Sequence, residues 1–285
     1  MRWLGGRQSD NVEDRRGSGG GGLLVGGGIG TVVVAIIVML LGGDPSEILN
    51  QTAPDQATSQ QAPTGPQADD DAAIFTSRVL ASTEDVWTKL FAEQGSQYRK
   101  PTLVMFRGVT SSGCGTAQQA MGPFYCPLDQ KVYIDLSFYD ELARRFNAPG
   151  DFAMAYVVAH EIGHHVQKQL GIMDKTDQLR QQLSQRDYNR VSVRLELQAD
   201  FFAGVWAHHA QGQSMALNDS DVESALTAAN AIGDDKIQEE TQGRVVPDAF
   251  THGTSAQRVY WFKKGLRTGD LSQGDTFNSR EDSNL

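Results

Sequence analysis

His160-Glu161-Ile162-Gly163-His164 is the stretch on which the reading of this chain turns. Around it Phe152, Ala155, Val158, Ala159, Ile162, Val166 and Leu170 recur at helical spacing, with Asp151 as an N-cap and Gly171 as a stop. On such a helix residues four apart share a face. The imidazoles of His160 and His164 can therefore reach one metal ion, with Glu161 beside them. The pentapeptide fixes only three positions and recurs by chance, so its context carries the weight. The competing reading is a histidine pair on a core helix, but two histidines and a glutamate on an apolar face are costly to bury without a ligand.

A catalytic zinc site takes three protein ligands and leaves a fourth position for water. The metzincin pattern would put a third histidine at position 170, where this chain has Leu170, and is excluded. Arg194-Leu195-Glu196-Leu197-Gln198-Ala199-Asp200 supplies a better candidate, on a second expected helix from about 191 to 209. Glu196 is the expected third ligand. Asp200, one turn on, is placed to accept a hydrogen bond from a histidine ligand and fix its tautomer. The plainer reading of both is a solvated acidic face. His165 is rotated by about 100° from His164 and points away from the ion. His208 and His209 suit the C-terminal end of the second helix, where the macrodipole favours a cation.

H-E-x-x-H followed by E-x-x-A-D is similar to the gluzincin peptidases. The words at 122–127 (GPFYCP), 131–137 (KVYIDLS) and 196–207 (ELQADFFAGVWA) resemble the bacterial neutral zinc metallopeptidase family, over roughly residues 73–285. The resemblance implies a zincin-like metallopeptidase domain with one Zn²⁺ per chain on His160, His164 and Glu196. It also implies a zinc-dependent metalloendopeptidase with a peptide or protein substrate. In that chemistry zinc acidifies a coordinated water and polarises the scissile carbonyl, while Glu161, as general base, carries the water proton to the leaving amine. The candidates for stabilising the oxyanion are His252 and Arg258. Thr254 or Ser255 would cap a helix to about residue 266, with His252 in the loop before it and Arg258 in its first turn. The alternative leaves His252 an ordinary loop residue and pairs Arg258 with a surface acid. Two rival functions stay open: a zinc-stabilised binding or assembly factor with little turnover, and a zinc amidase acting on cell-wall peptides. Glu161 speaks for catalysis, since a scaffold has no use for an acid beside a metal-bound water.

The uncharged stretch at 23–41, LLVGGGIGTVVVAIIVMLL, would span about 28 Å as a helix, long enough to cross a bilayer. The sequence after it is a poor signal-cleavage site. Arg2, Arg7, Arg15 and Arg16 precede it, and no Lys or Arg follows until Arg78. The positive-inside rule then places the N-terminus in the cytoplasm and the catalytic domain in the periplasm or outside the cell. Cys114 and Cys126, the only cysteines, fit an oxidising compartment, where a disulfide would contribute about 3 kcal/mol. Two reduced thiols or two zinc ligands are the alternatives. Residues 1–22 read as a disordered cytoplasmic terminus and 42–72 as a flexible linker, which leaves 73–285 for one metallopeptidase domain.

Within that domain helices are expected at 73–81 and 83–94, strands at 102–107 and 131–135, and helices from 137 to about 146 and from 221 to 232. The class is α+β, mostly helical with a small sheet, behind a single N-terminal transmembrane helix. Residues 122–135 are the expected neighbourhood of an edge strand that would hold a peptide by β-augmentation. A net charge of −10 offers no basic stripe for nucleic acid; the expected partners are the substrate and, through 23–41, a lipid bilayer.

Overall fold

The computed structural model describes residues 2–3, 6–16, 66–118, 122–144, 151–231 and 233–281. The expected membrane span at 23–41 and most of the expected linker lie outside these residues. Among the described residues no helix is long and apolar enough to cross a membrane.

The architecture is α+β, mostly helical with a small mixed sheet. The first long helix, α1 (Pro66–Glu93), begins inside the stretch expected to be linker, with Pro66 at its first turn, where a missing N–H costs nothing. The two helices expected at 73–81 and 83–94 are one. No Gly or Pro interrupts them, and Thr83 Oγ1 turns back onto the Leu80 carbonyl, 2.7 Å away.

Strands β3 (Thr102–Phe106) and β7 (Lys131–Asp135) run parallel at the centre of a four-stranded sheet, with β6 (Phe124–Cys126) antiparallel on the β7 side. A hairpin of β4 (Val109–Ser112) and β5 (Gly115–Gln118) stands between β3 and β6 in the chain. A Cys114–Cys126 disulfide ties its turn to β6.

After α2 (Phe138–Arg144) comes α3 (Asp151–Gln169), which carries the H-E-x-x-H pentapeptide and is buried on nearly every side. Then follow α4 (Ile172–Arg180), α5 (Gln185–Ala210), α6 (Asp219–Ala231), α7 (Asp234–Gln242) and α8 (Ser255–Thr268). The second expected helix starts earlier than its apolar stripe suggests, because Ser184 caps it by accepting from the Asp187 N–H. Thr254 and Gln257 form a full capping box on α8. The tightest helix crossing is α5 on α8. A Cβ on Gly204 would lie 2.2 Å from the Phe262 carbonyl oxygen, and one on Gly265 would lie 2.1 Å from that of Phe201. Only glycine at both positions lets the two backbones meet this closely.

The N-terminus departs most from expectation. Instead of lacking structure, residues 12–14 form β2 (Val12–Asp14), parallel to β3, so the sheet order is β2-β3-β7-β6. Ahead of it, β1 (Arg2–Trp3) pairs antiparallel with β8 (Met215–Ala216). The segment between them serves Glu84 of α1, whose side chain has no solvent exposure. Ser9 Oγ and Asn11 Nδ2 donate to Glu84 Oε1 at 2.6 and 2.7 Å, and Arg7 Nη2 donates to Oε2 at 2.6 Å. Nothing in the local pattern announces β2, because Val-Glu-Asp is short and polar and its partner strand lies some ninety residues away.

Burial by itself would raise the Glu84 carboxyl, but the hydrogen bonds from Ser9, Asn11 and Arg7 outweigh it and hold its pKa below the ordinary 4.5. A carboxyl depressed in the folded state adds stability above its unfolded pKa and loses it as pH falls through the folded value. Removing two donors with Ser9→Ala and Asn11→Ala should cost about 1–3 kcal/mol for each group left unsatisfied. The gap between variant and parent should be widest above the unfolded carboxyl pKa and narrow as pH falls, because a less depressed Glu84 has less stability to lose in acid. Denaturant unfolding of the full chain, followed by tryptophan fluorescence at a series of pH values, checks this. An acid limb identical to that of the parent chain would uncouple Glu84 from the N-terminal segment.

Candidate metal centre

Helix α3 presents His160 and His164 one turn apart, with ring centroids 4.8 Å from each other, and α5 brings Glu196 across from them. One carboxylate faces both rings: His160 Nε2 is 3.2 Å from Glu196 Oε2, and His164 Nε2 is 3.4 Å from Oε1. The candidate ligand atoms of the three residues all lie within 4.8 Å of one another. Gly163 explains how the helices come so close. A Cβ there would sit 2.9 Å from the Ala199 carbonyl oxygen and 3.0 Å from its Cα, so any larger residue would push α5, and Glu196 with it, away.

Hydrogen bonds on the other side of each ring leave Nε2 as the metal-facing atom. Asp200 Oδ1 can only accept, so His160 Nδ1 carries the proton in their 2.9 Å bond. For His164 the partner is Gln167 Oε1, at 2.9 Å. The Gln167 amide is oriented because its Nε2 donates to the Leu195 carbonyl and to Gln198 Oε1. Gln198 in turn donates to the Gly274 carbonyl. The sequence reading missed Gln167. Its only signal is its position three residues after His164 on the same helix.

Asp200 is fully buried and is the hub of this arrangement. The Tyr156 hydroxyl donates to Oδ1 at 2.5 Å, and Arg258 donates to Oδ1 from Nη2 and to Oδ2 from Nε, both at 3.0 Å. Burial would raise Asp200, but the Arg258 and His160 charges outweigh it and keep the carboxyl below its usual value. Arg258 is therefore not where the oxyanion reading puts it. It is 2 % exposed and engaged by Asp200 and Tyr156 on the Nδ1 side of His160, behind the ring as seen from the ligand cluster. The capping of α8 was legible in sequence. That its first turn points into the core beneath α3 is decided by the glycine crossing.

The electrostatics of the cluster suit a cation. Burial disfavours charge on His160, yet Asp200 and Glu196 overcome it and push its pKa up to about 10; His164 is raised in the same sense by Glu196. Two carboxylates thus demand positive charge where two imidazole nitrogens converge. Two His nitrogens and a carboxylate oxygen brought to one point are a donor set that fits Zn²⁺. Glu161, next to the first histidine, is buried, and its carboxyl is raised by that burial despite the opposing pull of His160 and His164.

His252 lies in the loop before α8, which packs on α5 beside Glu196: Gly253 sits against Val193 and Leu197. Asp234 Oδ2 accepts from the backbone N–H of Thr251, His252 and Gly253, and its Oδ1 is 3.2 Å from His252 Nδ1. Asp234, absent from the sequence reading, thus holds both the loop and the ring. The His252 side chain keeps about 40 % of its exposure. His165 belongs elsewhere. It is buried, bonds the Tyr125 hydroxyl and the Arg99 carbonyl, and is kept neutral by burial, which lowers its pKa to about 4. His208 and His209 bond the carbonyls of Leu266 and Gly269, far along α5 from the cluster.

Residues 1–277 match the family described as "Putative neutral zinc metallopeptidase", and the chain belongs to that family. It is 53 % identical over 284 residues to the "Uncharacterized protein YpfJ" of Escherichia coli K12, covering 97 % of this chain and 99 % of that one. It is 42 % identical over 217 residues to the "Uncharacterized protein Rv2575" of Mycobacterium tuberculosis H37Rv, covering 72 % and 71 %. No solved structure matches.

Placing Arg258 behind His160 yields a prediction that separates the two roles. Arg258→Ala leaves the Asp200 charge buried and short of its strongest partner, which should destabilise the fold by about 3–5 kcal/mol. Thermal unfolding and metal content measured on the same sample check it. An unchanged Tm with only a slower reaction would return Arg258 to the oxyanion.

Proposed function

We propose that this chain is a zinc-dependent metalloendopeptidase holding one Zn²⁺ per chain on His160, His164 and Glu196. The observation that carries the reading is the convergence of His160 Nε2 and His164 Nε2 on the two oxygens of Glu196, with Glu161 buried alongside. A zinc ion held there would supply Lewis-acid chemistry, acidifying water and polarising a peptide carbonyl. Glu161 then acts as general base, taking the proton of the attacking water and delivering it to the leaving nitrogen. His252, oriented by Asp234 and flanking Glu196, is the group proposed to stabilise the oxyanion. Asp200 and Gln167 fix the tautomers of the two histidines.

Substrate placement follows from the sheet. β6 is an edge strand, and the backbone of Tyr125 within it hydrogen-bonds Glu161. An extended peptide laid along β6 would pass beside the general base, which favours peptide or protein substrates and binding by β-augmentation around 122–135. We further propose that residues 23–41 hold the enzyme at a lipid bilayer with the domain outside the cytoplasm. The Cys114–Cys126 disulfide suits that compartment.

Two measurements test the catalytic reading. In Glu161→Gln, zinc content should stay at one per chain while hydrolysis of a mixed peptide library falls at least about a hundredfold, the scale of general-base loss. Equal hydrolysis by the parent and the variant would assign water activation elsewhere, and no hydrolysis by the zinc-loaded parent would favour a binding role. Cleavage confined to cell-wall peptides would instead make the chain an amidase. For His252→Ala the expected outcome is a lower kcat with KM little changed, because the contact forms in the transition state. A change in KM alone would make His252 a substrate-binding residue.

A further inference from the structure

The segment at residues 6–16 has no place in the catalytic reading, yet it is among the most heavily bonded parts of the described chain. Its backbone is threaded into the domain: Ser9 N–H donates to the Ser77 carbonyl, Leu103 N–H to the Asn11 carbonyl and Arg15 N–H to the Met105 carbonyl. Its side chains reach both helix and sheet. Arg7 bonds Glu84 and Asp85 of α1, Glu13 meets Lys131 of β7 at 2.5 Å, and Arg15 bonds Thr110 and the Ser111 carbonyl in the β4 hairpin. Glu84 supplies an independent argument. A carboxylate with no exposed side-chain surface needs donors, and apart from Lys100 at 3.5 Å the charged and polar groups that satisfy it are Arg7, Ser9 and Asn11. The topology agrees, for β2, α1 and β3 make a parallel strand-helix-strand unit, in which the second strand can lie parallel to the first only because a helix crosses between them. The N-terminal segment is thus the first strand of the sheet.

We propose that residues 6–16 are an integral strand of the metallopeptidase domain in the same chain, so that the two flanks of the apolar stretch 23–41 share one compartment. Chain connectivity gives the consequence. A single crossing of a bilayer by residues 23–41 would leave residues 6–16 and residues 66–281 on opposite faces, and β2 cannot bond β3 through a membrane. The cytoplasmic N-terminus expected from the arginine asymmetry is revised accordingly: whatever side holds the domain holds Arg2, Arg7, Arg15 and Arg16 as well. Two of these arginines dock the segment, Arg7 on Glu84 and Arg15 on Thr110 and the Ser111 carbonyl, and Arg16 pairs with Asp14 beside them, so these charges have a role in the fold apart from orientation. The inference does not depend on the catalytic reading.

The test uses the full chain in its membrane. In the unmodified protein, a carbodiimide should join Glu13 to Lys131, read as a crosslinked peptide by mass spectrometry on chains that run as monomers. The same crosslink found only in dimers would mean that the strand comes from a second copy, and would overturn docking within one chain. Its absence while other carboxylate-amine pairs of the domain react would overturn docking altogether. For compartment, Gln8→Cys and Thr88→Cys, both at exposed positions, are made singly and treated in intact spheroplasts with a membrane-impermeant maleimide. Both labelled, or both labelled only after lysis, supports the proposal. One labelled and the other protected until lysis overturns it.

Discussion

The contact between α3 and α5 at Gly163 is the constraint on which the site depends. Two histidines on one helix turn supply only two of the donors a metal needs, and the third must come from elsewhere in the chain at a distance a side chain can bridge. Because Gly163 carries no Cβ, the backbone of Ala199 comes to rest against α3, and Glu196, one turn earlier on α5, faces both imidazoles. The second glycine contact, Gly204 on Gly265, does the same for α8 and sends Arg258 under His160. Two close helix crossings thus assemble the ligand cluster and its support.

That support is a buried charge network with Asp200 at its centre. A carboxylate this deep is tolerable only when its oxygens are occupied, and Tyr156, His160 and Arg258 occupy them from three directions. The cost of breaking such a set is large because any remaining charge has no water to turn to. This makes the orientation of His160 part of the folding problem: the ring cannot rotate without disturbing a group the core relies on. His164 is held more lightly, through the neutral amides of Gln167 and Gln198.

The same logic recurs at Glu84. There a buried carboxylate draws in the N-terminal segment, which thereby adds a strand to the sheet and extends the domain backwards across a stretch that composition assigns to a membrane span and a tether. Both carboxylates show buried charge specifying which distant segment must arrive, since only a segment carrying the matching donors satisfies it. β6, at the far edge of the same sheet, bonds Glu161 through the backbone of Tyr125.

What the sequence determined by itself was everything set by helical period and capping. The face shared by His160 and His164, the single turn between Glu196 and Asp200, the strands at 102–107 and 131–135, and the Thr254 cap of α8 all follow from local spacing, and local spacing is written in consecutive residues. The tertiary structure decided the rest. Arg258 turned from an expected partner of the oxyanion into a support for Asp200 because the direction of α8 depends on a glycine two turns later meeting another helix. Gln167 and Asp234 are ordinary polar residues until the elements around them converge. The strand at Val12–Asp14 is visible only opposite Leu103–Met105, since three polar-leaning residues have no strand preference without a partner edge to bond.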